Sequence, residues 1–325
     1  MAKTKEIKSR IKSVKNTGKI TKAMEMVAAS KMRKCTEAVL KTRTYANISW
    51  LTVLNIAGSK NNEYMKHPLL TDKNKTEKIC IVLITANRGL CGSLNTNIIK
   101  KAIETIKSYD ELKSENVDFI LLGKKGSRVY KLGYEITAEF EKQDASSQIS
   151  EVRSISKMII DDFKNEKYDK IFVAYTDFIN AMTQLPRVKQ IIPIDIQTQD
   201  GYLGIVGDDT RLKTNKDFIK EKEDKYLEVK SQDQLLKNTK FDYVFEPNEE
   251  EVLNEMLPRL IEIQLYQALL ESNASEHSAR MSAMHNATTA ANDLIDELTL
   301  FYNKARQASI TSEIAEISAG SNALK

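Results

Sequence analysis

The chain has 325 residues, 41% hydrophobic and 29% charged, with a mean hydropathy of -0.41. Eleven Gly and five Pro make up about 5% of it, against an average near ~12%, which disfavours an all-β sandwich, a collagen or a Gly/Ser-rich disordered chain and predicts long helices. The net charge of +4 hides an asymmetry: residues 1–56 hold thirteen Lys/Arg and three acids, whereas residues 259–325 hold five Lys/Arg and eight acids, so one end is a basic rod that calls for an acidic partner.

Residues 2–57 contain one Gly, Gly18, and no Pro. Stepping alternately by four and three from position 7 to position 56 meets Ile7, Ile11, Val14, Ala28, Met32, Cys35, Val39, Ala46, Val53 and Ile56. That spacing is a heptad seam. It predicts a helical segment over 1–58, about 80 Å long at 1.5 Å per residue, ended by Gly58 and Pro68.

The centre, 76–196, reads as an α/β domain. Lys78–Thr85, Val117–Leu122 and Lys170–Tyr175 are apolar strands, with helical stretches near 95–109 and 147–164 between them. The alternation predicts a Rossmann-like, mainly parallel sheet. Phe178–Ile194 reads as a strand pair around Pro186. Residues 197–240 break the pattern as a charged insertion, expected as an exposed hairpin from Tyr202 and a short helix over Lys216–Lys230.

The last segment, 248–325, carries a second seam. Between 259 and 319 there is neither Gly nor Pro. The four-three track runs through Leu260, Leu270, Met281, Met284, Ile295, Leu298 and Tyr302, and gives a helix about 90 Å long. Two seamed helices at opposite ends of one chain predict a long antiparallel coiled coil with Ile11, Val14, Met32 and Val39 facing the C-terminal seam, to which Met281, Ile295 and Leu298 belong. Small seam residues (Ala28, Ala46, Ala274, Ala291, Ala305) allow close approach. The other reading is that each helix packs on a globular body.

Chemistry-bearing patterns are sparse. Three Cys without a CxxC argue against a zinc ribbon, a thioredoxin site and a disulfide framework, and leave Cys80 as a buried thiol. The longest apolar run, Ile79–Ile84, is far short of the ~20 residues of a membrane span, and no signal or transit segment opens the chain, so a soluble protein without direct membrane insertion is expected. There is no GxxxxGK[ST] or GxGxxG. Gly89-Leu90-Cys91-Gly92 follows a strand and precedes a helix, where a tight turn explains it as well as a phosphate loop does. His67 precedes Pro68 in a loop. His277 lies on the seam and His285 two turns on, without a metal-binding pattern. No cofactor, metal site or catalytic constellation is expected, and the isolated chain is expected neither to bind ATP tightly nor to hydrolyse it.

Three stretches are distinctive. Residues 19–34 run Lys19-Ile20-Thr21-Lys22-Ala23-Met24-Glu25-Met26 and on to Lys34, residues 86–95 run Ala86-Asn87-Arg88-Gly89-Leu90-Cys91-Gly92-Ser93-Leu94-Asn95, and residues 303–317 run Asn303-Lys304-Ala305-Arg306-Gln307-Ala308-Ser309-Ile310-Thr311 and on to Ile317. Together these closely resemble the gamma subunit of ATP synthase, over nearly the whole chain apart from 197 to about 240. Asn87, Ser93 and Ser321 stand where the family commonly has Asp, Gly and Ala.

The resemblance implies a non-catalytic central-stalk rotor, one copy per complex. Its terminal coiled coil would stand inside the ring of alpha and beta subunits, with the α/β foot against the epsilon subunit and the membrane c-ring. Such a rotor couples ion flow to conformational change at the catalytic beta subunits, and would lie peripherally on the cytoplasmic face of a bacterial inner membrane. Carried over by resemblance, Met24 would face the beta lever loop, and Arg280, Gln307 and Thr311 would engage beta; ordinary surface or packing roles are the alternative for each. Related subunits of photosynthetic lineages also carry an insertion near 197–240, with a redox cysteine pair in chloroplasts; this segment has no Cys. Rival readings are a basic coiled-coil nucleic-acid-binding protein, disfavoured because residues 1–44 contain no aromatic side chain to stack on bases, a nucleotide-dependent α/β enzyme, which lacks a phosphate loop, and a vacuolar-type stalk subunit, which lacks the α/β body.

Overall fold

The computed structural model describes residues 2–57, 67–71, 76–109, 113–143, 148–194, 246 and 249–323. The insertion at 197–240, with its expected hairpin and helix, lies outside the described residues. The chain divides into two compact units, residues 31–277 and residues 1–30 with 278–325. Two helices contribute to both: α1 (Ala2–Ala57) and α4 (Glu249–Ala323).

Unit 31–277 is built on a five-stranded sheet in the order β3-β2-β1-β4-β5. Strands β1 (Ile79–Ile84), β2 (Val117–Leu122), β3 (Glu135–Phe140) and β4 (Lys170–Phe178) are parallel; β5 (Gln184–Ile192) is antiparallel to β4. Both faces are covered, so the central strands read as continuous apolar runs, yet alternate residues serve different layers. Ile79, Ile81 and Leu83 face α2 (Leu94–Lys107), with its Ile98, Ala102 and Ile106, and the 3-10 helix Lys124–Leu132, with its Val129. Cys80, Val82 and Ile84 face the other way, against Val152, Ile155, Ile159 and Phe163 of α3 (Ile149–Lys164) and Leu253, Leu257, Leu260 and Ile261 of α4. Each such side chain, fully buried, stabilises by roughly 1.5–3 kcal/mol.

One local expectation is corrected. Phe178–Ile194 is not a strand pair around Pro186: β4 continues to Phe178, a tight turn at Asn180–Thr183 reverses the chain, and Pro186 lies inside β5 opposite Thr176. The Asn180 side chain makes that turn, its Oδ1 accepting from the backbone N–H of Met182 and Thr183 at 2.8 Å each. Pro186 is tolerated because, among the described residues, β5 pairs with β4 alone, so its outer side has no strand to donate to. The helical segment expected over 248–325 is α4, which passes through Pro258. A mid-helix proline forfeits a hydrogen bond and crowds the preceding turn; burial of Leu253, Leu257, Leu260 and Ile261 around it outweighs that cost.

Within this unit α1 and α4 meet through Cys35, Val39, Leu270 and Ala274, and Thr42 Oγ1 donates to Gln267 Oε1 at 2.7 Å. Here α4 is more than a coiled-coil strand. From Leu260 to Ser278 every residue except Tyr266 is buried, Glu262, Glu271, Glu276 and His277 included. So the helix both pairs with α1 and lies in the α/β body, and the two alternative packings hold together.

In unit 1–30 with 278–325 the two helices run antiparallel. Gly18 approaches Ala291, the Thr21 and Thr288 hydroxyls hydrogen bond at 2.8 Å, and His285 Nδ1 lies 3.3 Å from Glu25 Oε1. A step up α1 is a step down α4. A Cβ added at Gly18 would stand 3.4 Å from the Ala291 Cβ, at the lower edge of ordinary contact. Alanine there also gains about 1 kcal/mol of helix propensity. Gly18→Ala is therefore expected to raise the helix-melting midpoint by about 2 °C, whereas Gly18→Leu, which cannot fit the seam, lowers it; circular dichroism melts check both.

Candidate functional site on the paired terminal helices

In the stretch 4–30 of α1 the heptad positions Ile7, Ile11, Val14, Gly18, Thr21, Glu25 and Ala28 are all buried or half-buried, with Thr4, Met24 and Ala29 half-buried beside them. Between them Lys5, Lys8, Arg10, Lys12, Lys15, Lys19 and Lys22 are exposed. Heptad spacing thus separates the helix into an apolar and small-residue seam and a cationic outer surface. The stripe is modulated at one point: Lys22 Nζ pairs with Glu25 Oε1 at 3.0 Å, and this bond, with a second from His285, holds the Glu25 carboxyl below its ordinary range.

Met24 sits beside that cluster, half-buried, with Met26 and Val27 exposed next to it. On α4, Met281, Ile295 and Leu298 are half-buried and Met284 and Ala291 buried. Of the remaining seam residues on α1, Val39 is buried and Met32 half-buried, both in unit 31–277. Arg280 is half-buried, while Gln307 and Thr311 are exposed, Thr311 Oγ1 donating back to the Gln307 carbonyl at 2.9 Å. The four residues therefore do not form one cluster. Met24 and Arg280 belong to the two-helix stretch, and Gln307 and Thr311 lie on the order of 40–46 Å farther along α4 at 1.5 Å per residue.

The end of α4 is a different surface. Every residue from Ile310 to Ala319 is exposed, with Ile310, Ile314 and Ile317 at helical spacing. The isoleucines form one apolar stripe while Thr311, Ser312, Ala315 and Ser318 are small. This stripe was not singled out from the sequence, although its i, i+4, i+7 spacing is legible there.

The loop Thr85–Ser93 is a turn rather than a cradle. Leu90 and Gly92 adopt positive φ (64° and 59°), Cys91 is buried, and Asn95 Oδ1 accepts from the Ala86 N–H at 2.9 Å, so the polar side chains close the loop on itself. His67 Nδ1 accepts from the Leu69 N–H, and its Nε2 meets Asn254 Oδ1 at 3.1 Å. His277 is buried. Cys35, Cys80 and Cys91 are buried free thiols, and burial pushes the Cys80 thiol well above its ordinary value. Among the described residues no cluster of His, Cys, Asp or Glu could hold a metal ion, and no helix is long and apolar enough to cross a membrane.

What sequence reasoning missed is a buried polar layer on α4 in unit 31–277. Lys142 Nζ, fully buried, lies 2.7 Å from Glu276 Oε2 and donates to Asn273 Oδ1 at 2.8 Å. Its partners are more than 130 positions away, and no local pattern marks them.

The family model described as ATP synthase matches residues 3–324. A chain from Herpetosiphon aurantiacus named ATP synthase gamma chain is 38% identical over 335 residues, covering 100% of this chain and 99% of its own. One of the same name from Legionella pneumophila is 38% identical over 325 residues and covers 100% of each. A Euglena gracilis mitochondrial ATP synthase structure, described as OSCP/F1/c-ring, matches with a TM-score of 0.62 at 18% identity, covering 99% of this chain and 95% of that one; at that identity the likeness is one of fold.

Proposed function

We propose how this chain, which belongs to the ATP synthase gamma-chain family, engages its complex. A gamma chain is a rotor subunit of the central stalk; catalysis belongs to other subunits of the membrane-associated assembly. The antiparallel pairing of Gly18 with Ala291, Thr21 with Thr288 and Glu25 with His285 is the observation that carries the finer reading. It supplies an asymmetric two-helix rod, one copy of which cannot touch three like subunits in the same way. Turning it therefore drives them through different conformations.

In this reading the rod stands in the ring of alpha and beta subunits, and the α/β body meets the epsilon subunit and the c-ring. Ion flow through that ring, at the cytoplasmic face of a bacterial inner membrane, turns the whole. The seven exposed cations between Lys5 and Lys22 attract acidic lever loops of beta without interlocking with them. Toward the α4 end Ala315, Ser318 and Ala319 are small, while the exposed stripe of Ile310, Ile314 and Ile317 supplies an apolar contact face. Met24 with Arg280 forms one contact region for beta, and Gln307 with Thr311 a second, farther along.

Met24→Lys tests the first region. The substitution places an added cation beside the lever loop, and a charge-assisted contact there is worth about 1.5–3 kcal/mol, which each passage must break. The expected result in membrane vesicles is an assembled complex that still hydrolyses ATP but pumps fewer ions per ATP. An unchanged ratio of pumping to hydrolysis rules out a lever contact at position 24.

A further inference from the structure

The strand order β3-β2-β1-β4-β5 has its switch point between β1 and β4: the chain leaves β1 for β2 on one side and returns to β4 on the other. In open parallel α/β sheets the crevice outside the carboxyl ends of the strands at that point is where ligands bind. Here the crevice is occupied by the protein's own α4. Ser275 Oγ donates to the Thr176 carbonyl near the end of β4 at 3.1 Å. The Asn273 Nδ2 donates to the Gln143 carbonyl at 3.2 Å, and its Oδ1 accepts from Lys142 Nζ. The loop after β1 closes the arrangement, Asn87 Nδ2 donating to the Lys142 carbonyl at 2.6 Å. Thr176 of β4 and the Lys142–Gln143 segment after β3 thus converge on four successive residues of one helix, and the loop after β1 holds that segment in place. The Lys142–Glu276 pair at its centre has side chains 0% and 2% exposed.

We propose that Asn273–Glu276 is the permanent occupant of this domain's ligand crevice, and that the Lys142–Glu276 pair is the key that stops α4 turning about its own axis inside the α/β body. The inference rests on the rotor reading, because only a rotor loads this joint with torque. Apolar packing is non-directional, so the Leu253–Leu269 face of α4 resists sliding through shape and through part-buried bonds such as those of Glu262 to Arg153 and Gln267 to Thr42, whereas the Lys142–Glu276 pair is buried on both sides. A buried ion pair is satisfied in one register. A shift of one residue rotates the Glu276 side chain by about 100° and strands two charges away from water, which is strongly unfavourable. A crevice already filled with a paired Lys and Glu also leaves no room there for a nucleotide phosphate.

The test replaces the pair in the assembled complex by Lys142→Met with Glu276→Leu. Buried ion pairs commonly tolerate apolar substitution without loss of stability, so a merely structural role predicts parental behaviour throughout. The key predicts parental assembly and parental ATP hydrolysis without load, but at least a threefold smaller maximal ion gradient and a lower stall torque on single rotating complexes. A parental gradient and stall torque overturn the proposal. Should that double variant fail to assemble, the reversed pair Lys142→Glu with Glu276→Lys decides: assembly with recovered torque upholds a directional pair, and failure of both variants shows a folding element and overturns the key. Backbone hydrogen exchange in Glu276→Gln complexes gives an independent reading. At least tenfold faster exchange confined to 270–278 is expected, and unchanged exchange there overturns the key. If the parental complex itself neither rotates nor pumps, the rotor reading is what fails.

Discussion

Val39→Asp is expected to abolish entry of the chain into its complex, while Lys41→Asp, two residues on, leaves entry at the parental level. Val39 is 1% exposed and packs with Cys35, Leu270 and Ala274, with Phe178 and Tyr266 against the cluster. A carboxylate there must either stay charged in an apolar site or bind a proton at neutral pH. Raising its pKa by about three units costs about 4 kcal/mol, and the lost valine burial adds about 1.5 kcal/mol or more. Whole-domain stabilities are only about 5–15 kcal/mol. Lys41 is exposed, and substitutions at such positions stay within about 0.5 kcal/mol. Met32→Asp belongs between them, since Met32 is half-buried, and Lys34→Asp belongs with Lys41→Asp. Urea midpoints of the purified chains and the fraction recovered in assembled complexes check the series. Equal effects at all four positions would mean that the seam does not hold the helices together.

The seam was readable because heptad periodicity is local. The four-three track from Ile7 to Val53 falls on positions that the structure buries or half-buries, polar Gly18, Thr21, Glu25 and Thr42 included. The parallel sheet was readable from its three most apolar runs. β3 was missed: on this edge strand Glu135, Thr137 and Glu139 are exposed, and the half-buried Ile136, Ala138 and Phe140, divided between two layers by a register shift, are too few to make an apolar run. Its alternation after Gly133 was the signal available. The all-round burial of Leu260–Ser278 could not be read, because periodicity tells which face is apolar and not how many neighbours a helix has. Glu262, Glu271 and Glu276 look like ordinary solvated charges until their surroundings are known: Glu262 meets Arg153 at 2.9 Å, Glu271 accepts from Gln267, and Glu276 meets Lys142. The residues proposed as contacts on the rod, Met24, Arg280, Gln307 and Thr311, have no periodic or chemical mark; only the resemblance singled them out.

Three glycine substitutions should separate strain from crowding, with Gly123→Ala the most damaging. Gly123 has φ +110°, a conformation that L side chains rarely adopt, and a Cβ there would be driven into the carbonyl of Thr85, 2.9 Å from its carbon. Strain and overpacking each cost about 1–3 kcal/mol, so the sum is roughly 2–6 kcal/mol. Gly133 also has positive φ (+86°), but nothing lies within 4 Å of the added Cβ, so Gly133→Ala should cost about 1–2 kcal/mol. An added Cβ at Gly89 likewise meets nothing within 4 Å, and that residue's φ lies outside the left-handed region, so Gly89→Ala should be neutral or slightly stabilising through the unfolded chain. Urea midpoints are expected in the order Gly89→Ala, Gly133→Ala, Gly123→Ala, highest first, and equal midpoints for the last two would show that Thr85 yields without cost. The crowding matters beyond stability because of what Thr85 holds. Its N–H donates to the Leu122 carbonyl and its Oγ1 to the Gly123 carbonyl, both at 2.9 Å, while the Gly123 N–H donates to Phe140. These bonds fix the ends of β1, β2 and β3 to one another, and Asn87 follows two residues later to hold the Lys142 carbonyl. A displaced Thr85 therefore moves the Asn87 loop away from the Lys142–Glu276 pair. Gly123→Ala chains that do assemble are expected to lose stall torque together with the pair variants, whereas Gly133→Ala chains, strained but uncrowded, keep it.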